Sequence, residues 1–505
     1  MNIIAKKQAP ETVECDLLVV PALEGAKTFS ATLKAIDQAL DGVVGNVITE
    51  EEFEAKPGKT VLIHTHGRIP ARKVLVVGVG EKKTITAESI RRMAGLAAVT
   101  AKNSRAKTVA VSFDGVTSAK VQPAVAAQAC TEGLELAAYS FTKYKGKEER
   151  KNVESLLESV VLLAKDAAAA RNITKGITTG ALYAEGAIIA RGLVNEPAVH
   201  MKPKTLVAKA EEIAKQPGVS VKIYNEAEIK KLKMGAFLAV AAGSDEEPYL
   251  IHLTYKPRGK KKLKKIAVCG KGVTFDSGGL SLKPPQYMEA MKQDMAGGAA
   301  VLGAFSQLAA LKPNIEVHGV IVATENLPSG KATRPGDVVT AYNGKTVEIL
   351  NTDAEGRLIL ADALSWAEDT IKPDYLIDIA TLTGAAIVAL GQEVAAVVGV
   401  DRKLVAAVRT ASDEAGEPTW ELPLVEEYAQ FSMSDVADLR NISSVRWADT
   451  IMGAVFLKNF VEKTPWAHID IAGPAWVEQQ VLPYAPKGAS GFGVRTLLKL
   501  FTSLR

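Results

Sequence analysis

Residues 265–284 read KIAVCGKGVTFDSGGLSLKP. KIAVCG is a short apolar run of the kind that forms a buried strand. It passes directly into a glycine-rich loop that holds Lys271, Asp276 and Lys283. The second half of the chain repeats this pattern. VSVKIYN (219–225), YLIHLTY (249–255), EVHGVIVA (316–323), YLIDIAT (375–381) and AHIDIAG (467–473) are strand-like, with helical segments such as GAAVLGAFSQLAAL (298–311) between them. Near-continuous apolar strands alternating with helices predict an α/β fold whose mostly parallel central sheet is flanked by helices. In such sheets the ligand crevice lies beyond the carboxyl ends of the strands.

The first half also alternates. DLLVVPAL (16–23), TVLIHTH (60–66), KVLVVGVG (73–80) and KTVAVSF (107–113) read as strands, and ITAESIRRMAGLAAVTAKN (85–103) and PAVAAQACTEGLELAAYSF (123–141) as helices. TKYKGKEERK (142–151) reads as a surface loop and VESLLESVVLLAK (153–165) as a strand. The alanine-rich stretch that follows favours a long helix ending before Pro197. The expected organisation is an N-terminal α/β domain at 1–165, a linking helix at 166–196 and a C-terminal catalytic domain at 197–505.

With 505 residues, 47% of them hydrophobic, the chain can bury a large core. A net charge of +4 demands no nucleic-acid partner. The three cysteines are far apart, which suits a reducing cytoplasm better than a disulfide framework. The N-terminus lacks the pattern of a signal peptide. The longest apolar run, LTGAAIVALGQEVAAVVGV (382–400), is interrupted by Gln392-Glu393 and reads as buried helix and strand. The expectation is a soluble cytoplasmic protein without a membrane partner.

Two charged clusters carry the chemistry. The first places Lys271, Asp276 and Lys283 near Asp294, in EAMKQDMAGG. A phosphate-binding loop needs Ser or Thr after Gly-Lys, and Gly270-Lys271 is followed by Gly272. The second is NTDAEGRL (351–358), after the strand VEIL, where Asp353 and Glu355 share one face if the chain stays extended. A single loop acid is ordinarily a solvated surface residue. Four carboxylates converging at strand ends, however, need counter-charge, and two divalent cations supply it. Oxygen ligands suit magnesium or manganese, and zinc accepts them. No histidine lies in these motifs.

GKGVTFDSGG, LKP, QDMAGGAAVLG and NTDAEGRL, in this order, resemble the leucyl (cytosol) aminopeptidase family, whose signature octapeptide is NTDAEGRL. Similarity continues in LVNEPAV, DIATLTGA, WELPL, DVADLRN, FLKNFV and GASGFGVR, covering roughly residues 190–505. The resemblance implies two metal ions, zinc or manganese. One would be held by Lys271, Asp276, Asp294 and Glu355, the other by Asp276, Asp353 and Glu355. Lys271 would bind as a neutral amine, since an ammonium has no lone pair. Lys283 and Arg357 are the implied catalytic pair: Lys283 stabilises the developing oxyanion, and Arg357 holds a bicarbonate proton shuttle. The resemblance further implies peptide substrates with a free N-terminus, a preference for leucine-like residues and a homohexamer built as a dimer of trimers. Met291, Thr381 and Leu382, with the segment TIMGAVF (450–456), are candidates for substrate contact. Ala296 stands where cysteine is common in the family, and Glu421 where arginine is common.

Two other functions compete. Paired cations also serve phosphoester hydrolysis. KPRGKKKLKK (256–265) could contact nucleic acid, but it lacks interleaved aromatics and reads better as an exposed hairpin loop. GVGEKK (78–83) lacks the third glycine of a dinucleotide fingerprint, and His64 and His66 read as structural or surface residues.

Overall fold

A computed structural model describes residues 1–154, 156–259 and 263–504. The chain forms two compact units, one of residues 1–184 with 479–486, the other of 185–478 with 487–505. The helix Ala167–Asn195 runs through the boundary, and the segment 479–486, expected in the C-terminal domain, belongs to the first unit. There Tyr484 is buried, and its hydroxyl donates to Glu88 Oε1 at 2.8 Å.

The first unit holds six strands: β1 (Asn2–Lys7), β2 (Cys15–Ala22), β3 (Thr60–His64), β4 (Ala71–Gly78), β5 (Thr108–Val111) and β6 (Ser159–Ala164). They form one sheet in the order β1-β6-β5-β2-β4-β3, parallel except for β3. β1 was not anticipated. It is a half-exposed edge strand with two lysines, so it lacks the apolar run that marks a buried one. The stretch expected as a surface loop contains a helix, Lys147–Val153, whose first turn holds Glu148 and Glu149 and whose last turn holds Arg150 and Lys151. That arrangement complements the helix dipole. β6 consequently begins only at Ser159.

The second unit contains β7 (Val219–Tyr224), β8 (Tyr249–Tyr255), β9 (Lys265–Asp276), β10 (Glu316–Asn326), β11 (Asp337–Thr340), β12 (Thr346–Ile349), β13 (Tyr375–Ala380), β14 (Ala395–Gly399), β15 (Thr419–Glu421), β16 (Leu439–Arg440) and β17 (Trp466–Asp470), together with a short antiparallel pair, Trp476–Val477 and Gly488–Ala489. The main sheet runs β15-β14-β17-β13-β9-β10-β8-β7, and its centre, β17-β13-β9-β10, is parallel. A small sheet, β11-β12-β16, stands apart and carries NTDAEGRL from the end of β12.

β9 is twice as long as the expected strand. Lys271 and Asp276 therefore lie on a strand and not in a loop. Gly270 belongs to helix packing: a Cβ there would come within 2.8 Å of Gly297 O in the helix Ala296–Leu311. β10 lies between β8 and β9, so the basic segment 256–265 is a crossover and not a hairpin; its residues 260–262 lie outside the described residues. In the apolar run at 382–400, β14 is buried as expected, but the helix Gly384–Leu390 buries only Ala386 and leaves Val388 90% exposed. His64 and His66 are exposed. Among the described residues one helical stretch, 285–311, is long and apolar enough to cross a membrane, and most of it is buried inside the protein.

On the sheet face, His252 Nε2 lies 3.0 Å from His318 Nδ1, and the His252 ring meets Trp366 edge-on at 5.2 Å between centroids. Burial, then His318 and Lys222, push His252 down to about 4. The unfolded chain thus binds a proton below about pH 6.5 that the folded chain refuses until about pH 4. Stability is complete above about pH 6.5 and falls by roughly 2–3 kcal/mol as the pH drops towards 4. Thermal unfolding across pH 4–7 should show this decline flattened in His252→Phe. An equal decline in the variant would acquit the pair.

Candidate metal centre

β9 delivers both Lys271 and Asp276 to one place, although residues five apart on a regular strand face opposite sides. The register resolves this. Thr324 pairs with Val273, but Asn326 pairs with Asp276, so β9 has one extra residue there. Such an irregularity inverts the alternation beyond it and turns Asp276 towards the Lys271 side.

Asp294 enters from the short 3-10 helix Met291–Met295, ahead of the helix Ala296–Leu311. Asp353 and Glu355 come from the loop after β12. That loop is not extended, as expected from sequence, but turned. Asn351 Oδ1 accepts from Asp353 N at 2.9 Å, and Glu355 has φ −78° and ψ −34° at the start of the helix Gly356–Ile371. A helix N-terminus favours a carboxylate at that position. Glycine at 356 is required by close approach: a Cβ would lie 2.7 Å from Lys271 Nζ.

The six charged side chains interlock. Lys271 Nζ lies 2.8 Å from Asp294 Oδ1 and 2.7 Å from Glu355 Oε1, and donates to Thr381 O at 2.7 Å. Lys283 Nζ lies 2.9 Å from Asp276 Oδ2 and 2.5 Å from Asp353 Oδ1. Asp276, Asp353 and Glu355 each offer an oxygen, all within 4.8 Å of one another. Four carboxylates face only two ammonium groups, and the imbalance is visible in their proton affinities. Burial and the Glu355 charge push Asp276 up to about 7. Burial raises Asp294 well above the carboxylate range and raises Asp353 too. Glu355 is also buried, but Lys271 and Lys283 outweigh that and hold it low. Burial pulls Lys271 down, but Asp294 and Glu355 hold it high, so it is an ammonium here; a role as neutral ligand requires a cation to displace its proton.

The donor set fits divalent metal ions. Asp294 Oδ2, Asp353 Oδ1 and both oxygens of Glu355 are buried and accept no hydrogen bond. Lys271 and Lys283 stand within ion-pair range of two of these four atoms but outside hydrogen-bonding geometry. A buried acceptor left unmet costs about 1–3 kcal/mol, more when charged. Asp294 Oδ2 and Glu355 Oε2, which have no ammonium against them, together cost about 2–6 kcal/mol, a large share of the roughly 5–15 kcal/mol by which a whole protein is stable. Such a cluster is built to bind cations.

Arg357, the second residue of the helix Gly356–Ile371, is 5% exposed. Its guanidinium donates to Asn441 O at 3.0 Å and lies 3.7 Å from Asp449, and among the described residues it makes no other hydrogen bond. Thr381 serves the scaffold: its carbonyl receives Lys271 and its hydroxyl donates to Asp294 Oδ1 at 2.7 Å. Leu382 packs on the core beside Gly453, within TIMGAVF, and Met291 is half-buried at the start of the turn that carries Asp294.

Several supporting residues carried no expectation. Asn441, from DVADLRN, accepts from Leu350 N at 2.9 Å and donates to Asn351 O at 2.6 Å, clamping the turn. Thr352 stitches that turn to the loop after β9 through Gly278 O and Ser281 N, at 2.6 and 2.8 Å. Asp470, at the end of β17, accepts from Leu382 N, Thr383 N and the Thr383 hydroxyl at 3.0, 3.1 and 2.7 Å, fixing the segment that carries Thr381. Asp470 has a signal in the sequence, an acid at the carboxyl end of a mostly apolar run; Asn441 follows Arg440 and Thr352 follows Asn351, and neither has one.

A carboxylate-rich centre at the carboxyl ends of a parallel sheet, with a lysine and an arginine beside it, defines a metal-dependent hydrolase. Residues 188–498 match the cytosol aminopeptidase family, catalytic domain, and residues 19–148 match that family's N-terminal domain. The chain belongs to the cytosol aminopeptidase family and is an aminopeptidase, a hydrolase. It is 42% identical over 504 residues to a probable cytosol aminopeptidase of Alkaliphilus oremlandii, covering 100% of both chains. It is 43% identical over 492 residues to that of Thermosynechococcus vestitus, covering 97% of each. Among solved structures, a mutant of tomato leucine aminopeptidase is similar with a TM-score of 0.89 and 36% identity, over 99% of this chain and 96% of that one. The bottromycin maturation enzyme BotP in complex with Mn is similar with a TM-score of 0.83 and 34% identity, over 97% and 99% of the respective chains.

Proposed function

We propose that this chain removes leucine-like residues from the N-termini of peptides with two divalent metal ions, manganese or zinc, at the centre described. The observation that supports this most strongly is the set of buried carboxylate oxygens that accept no hydrogen bond. Lys271, Asp276, Asp294 and Glu355 would hold one ion, and Asp276, Asp353 and Glu355 the other. When bound, the pair supplies Lewis acidity that polarises the scissile carbonyl and activates water. Lys283 then presents its ammonium to the oxygen that gains negative charge. Held high by Asp276, Glu355 and Asp353 against the opposing pull of burial, it keeps its proton and acts as an electrostatic donor, not a base. Arg357, buried with most of its N–H donors uncommitted within the protein, offers a planar fork for bicarbonate, the proton shuttle of the proposed reaction. The lone pair of a free, neutral N-terminal amine would serve as a donor to one of the ions, which favours an exopeptidase over an endopeptidase.

The proposal extends to a cytoplasmic homohexamer, a dimer of trimers, acting on peptides and contacting neither membrane nor, as a main role, nucleic acid. Leucyl amide should be hydrolysed by the purified protein, lose that hydrolysis on chelation and regain it with manganese or zinc. A phosphate monoester should remain intact throughout. Hydrolysis of the ester but not the amide would instead establish the phosphoesterase alternative.

A further inference from the structure

Asn326 ends β10 at the register shift, 4% exposed, opposite Asp276. Its two side-chain N–H groups go to different segments. One donates to Asp276 Oδ1 at 2.8 Å, the other to Thr352 O at 3.0 Å, immediately before Asp353. Its backbone carbonyl accepts from Ser277 N at 3.0 Å and from the Ser277 hydroxyl at 2.8 Å, fixing the residue after Asp276. Asp276 Oδ1 also accepts from Gly278 N at 2.8 Å. That oxygen is therefore committed to the protein, and only Oδ2, facing Lys283 Nζ at 2.9 Å, remains for an ion.

Resting on the two-metal function above, we propose that Asn326 is a positioning residue for the metal centre. Its amide makes Asp276 a one-oxygen ligand and locks the end of β9 to the turn bearing Asp353 and Glu355. The arrangement follows from chemistry. A carboxylate free to turn both oxygens inward has no fixed direction, whereas one with Oδ1 pinned offers Oδ2 along a single line. Partners of metal ligands typically change metal affinity by about 10–100-fold when removed. Asn is the side chain for the task because a single amide has two donors, enough to hold a carboxylate and a carbonyl at once. Asp could not hold both while ionised, and Ser has one donor.

Isothermal titration of Mn2+ into the metal-free wild type and Asn326→Ala tests this. The variant should bind Mn2+ about 10–100-fold more weakly at one or both sites. Its kcat for leucyl amide at limiting Mn2+ should fall with KM changed little, while the metal-free proteins melt within a few degrees of each other. Asn326→Ser, keeping one donor, should lie between them and carries the test if the alanine variant fails to fold. Unchanged Mn2+ affinities in a folded variant overturn the assignment. So does failure of both variants to fold even with Mn2+, which would make Asn326 a general structural residue. A wild type that takes up no Mn2+ refutes the two-metal function itself, a separate result.

Discussion

Asp353→Asn is expected to strip the centre of one ion and to lower kcat/KM for leucyl amide by about a thousandfold or more. The substitution keeps the shape of the side chain and removes its charge. Asp353 Oδ1 is buried without a hydrogen bond and stands 2.5 Å from Lys283 Nζ, so the carboxylate is placed for a cation. An amide there offers one neutral oxygen and risks turning its N–H2 towards that ammonium. Losing an ion forfeits several kcal/mol of transition-state stabilisation, and each 1.36 kcal/mol is tenfold in rate. The turn itself should survive, because it is held by Asn351, Thr352 and Asn441 and not by the Asp353 carboxylate. Elemental analysis beside steady-state kinetics measures both effects. A variant with two ions and full activity would remove Asp353 from the ligands.

Lys283→Met should separate catalysis from metal binding. Lys283 reaches the carboxylates from the loop after β9, and its side chain retains 14% exposure, so it is the cation best placed to meet an incoming carbonyl. Methionine, one heavy atom shorter, removes the charge and keeps most of the apolar chain. Deleting one oxyanion donor costs about 10²–10³ in kcat. KM should change much less, and metal content should hold or rise, since an ammonium that competes for Asp276 and Asp353 is gone. Loss of metal in this variant would recast Lys283 as part of the binding site.

The central strands were legible because β9, β10, β13 and β17 are buried on both faces and so carry near-continuous apolar runs. β1 was not, because an edge strand spends its residues on solvent. The helix Lys147–Val153 was hidden by charge, which reads as loop until its order along the dipole is considered. At the centre, the acids and lysines were legible as residue types, but their convergence depends on an extra residue in β9 that no periodicity reveals. Asn326, Asn441 and Asp470 were missed for a related reason: their partners lie on segments distant in sequence, fixed only by the fold. Asp362 shows why acids alone mislead. It lies seven residues past Glu355, fully buried, yet it accepts from Phe237 N and Tyr342 N at 2.8 and 2.7 Å and so holds the helix Gly235–Ala241 and the turn after β11.

Counting divalent ions in the purified chain, by elemental analysis after equilibration with manganese and again for Glu355→Gln, addresses the two-ion centre most directly. Two equivalents per wild-type chain are expected, with at most one in the variant, because the missing carboxylate is the one proposed to serve both ions. A wild type that holds none, or a variant that still holds two, would contradict it.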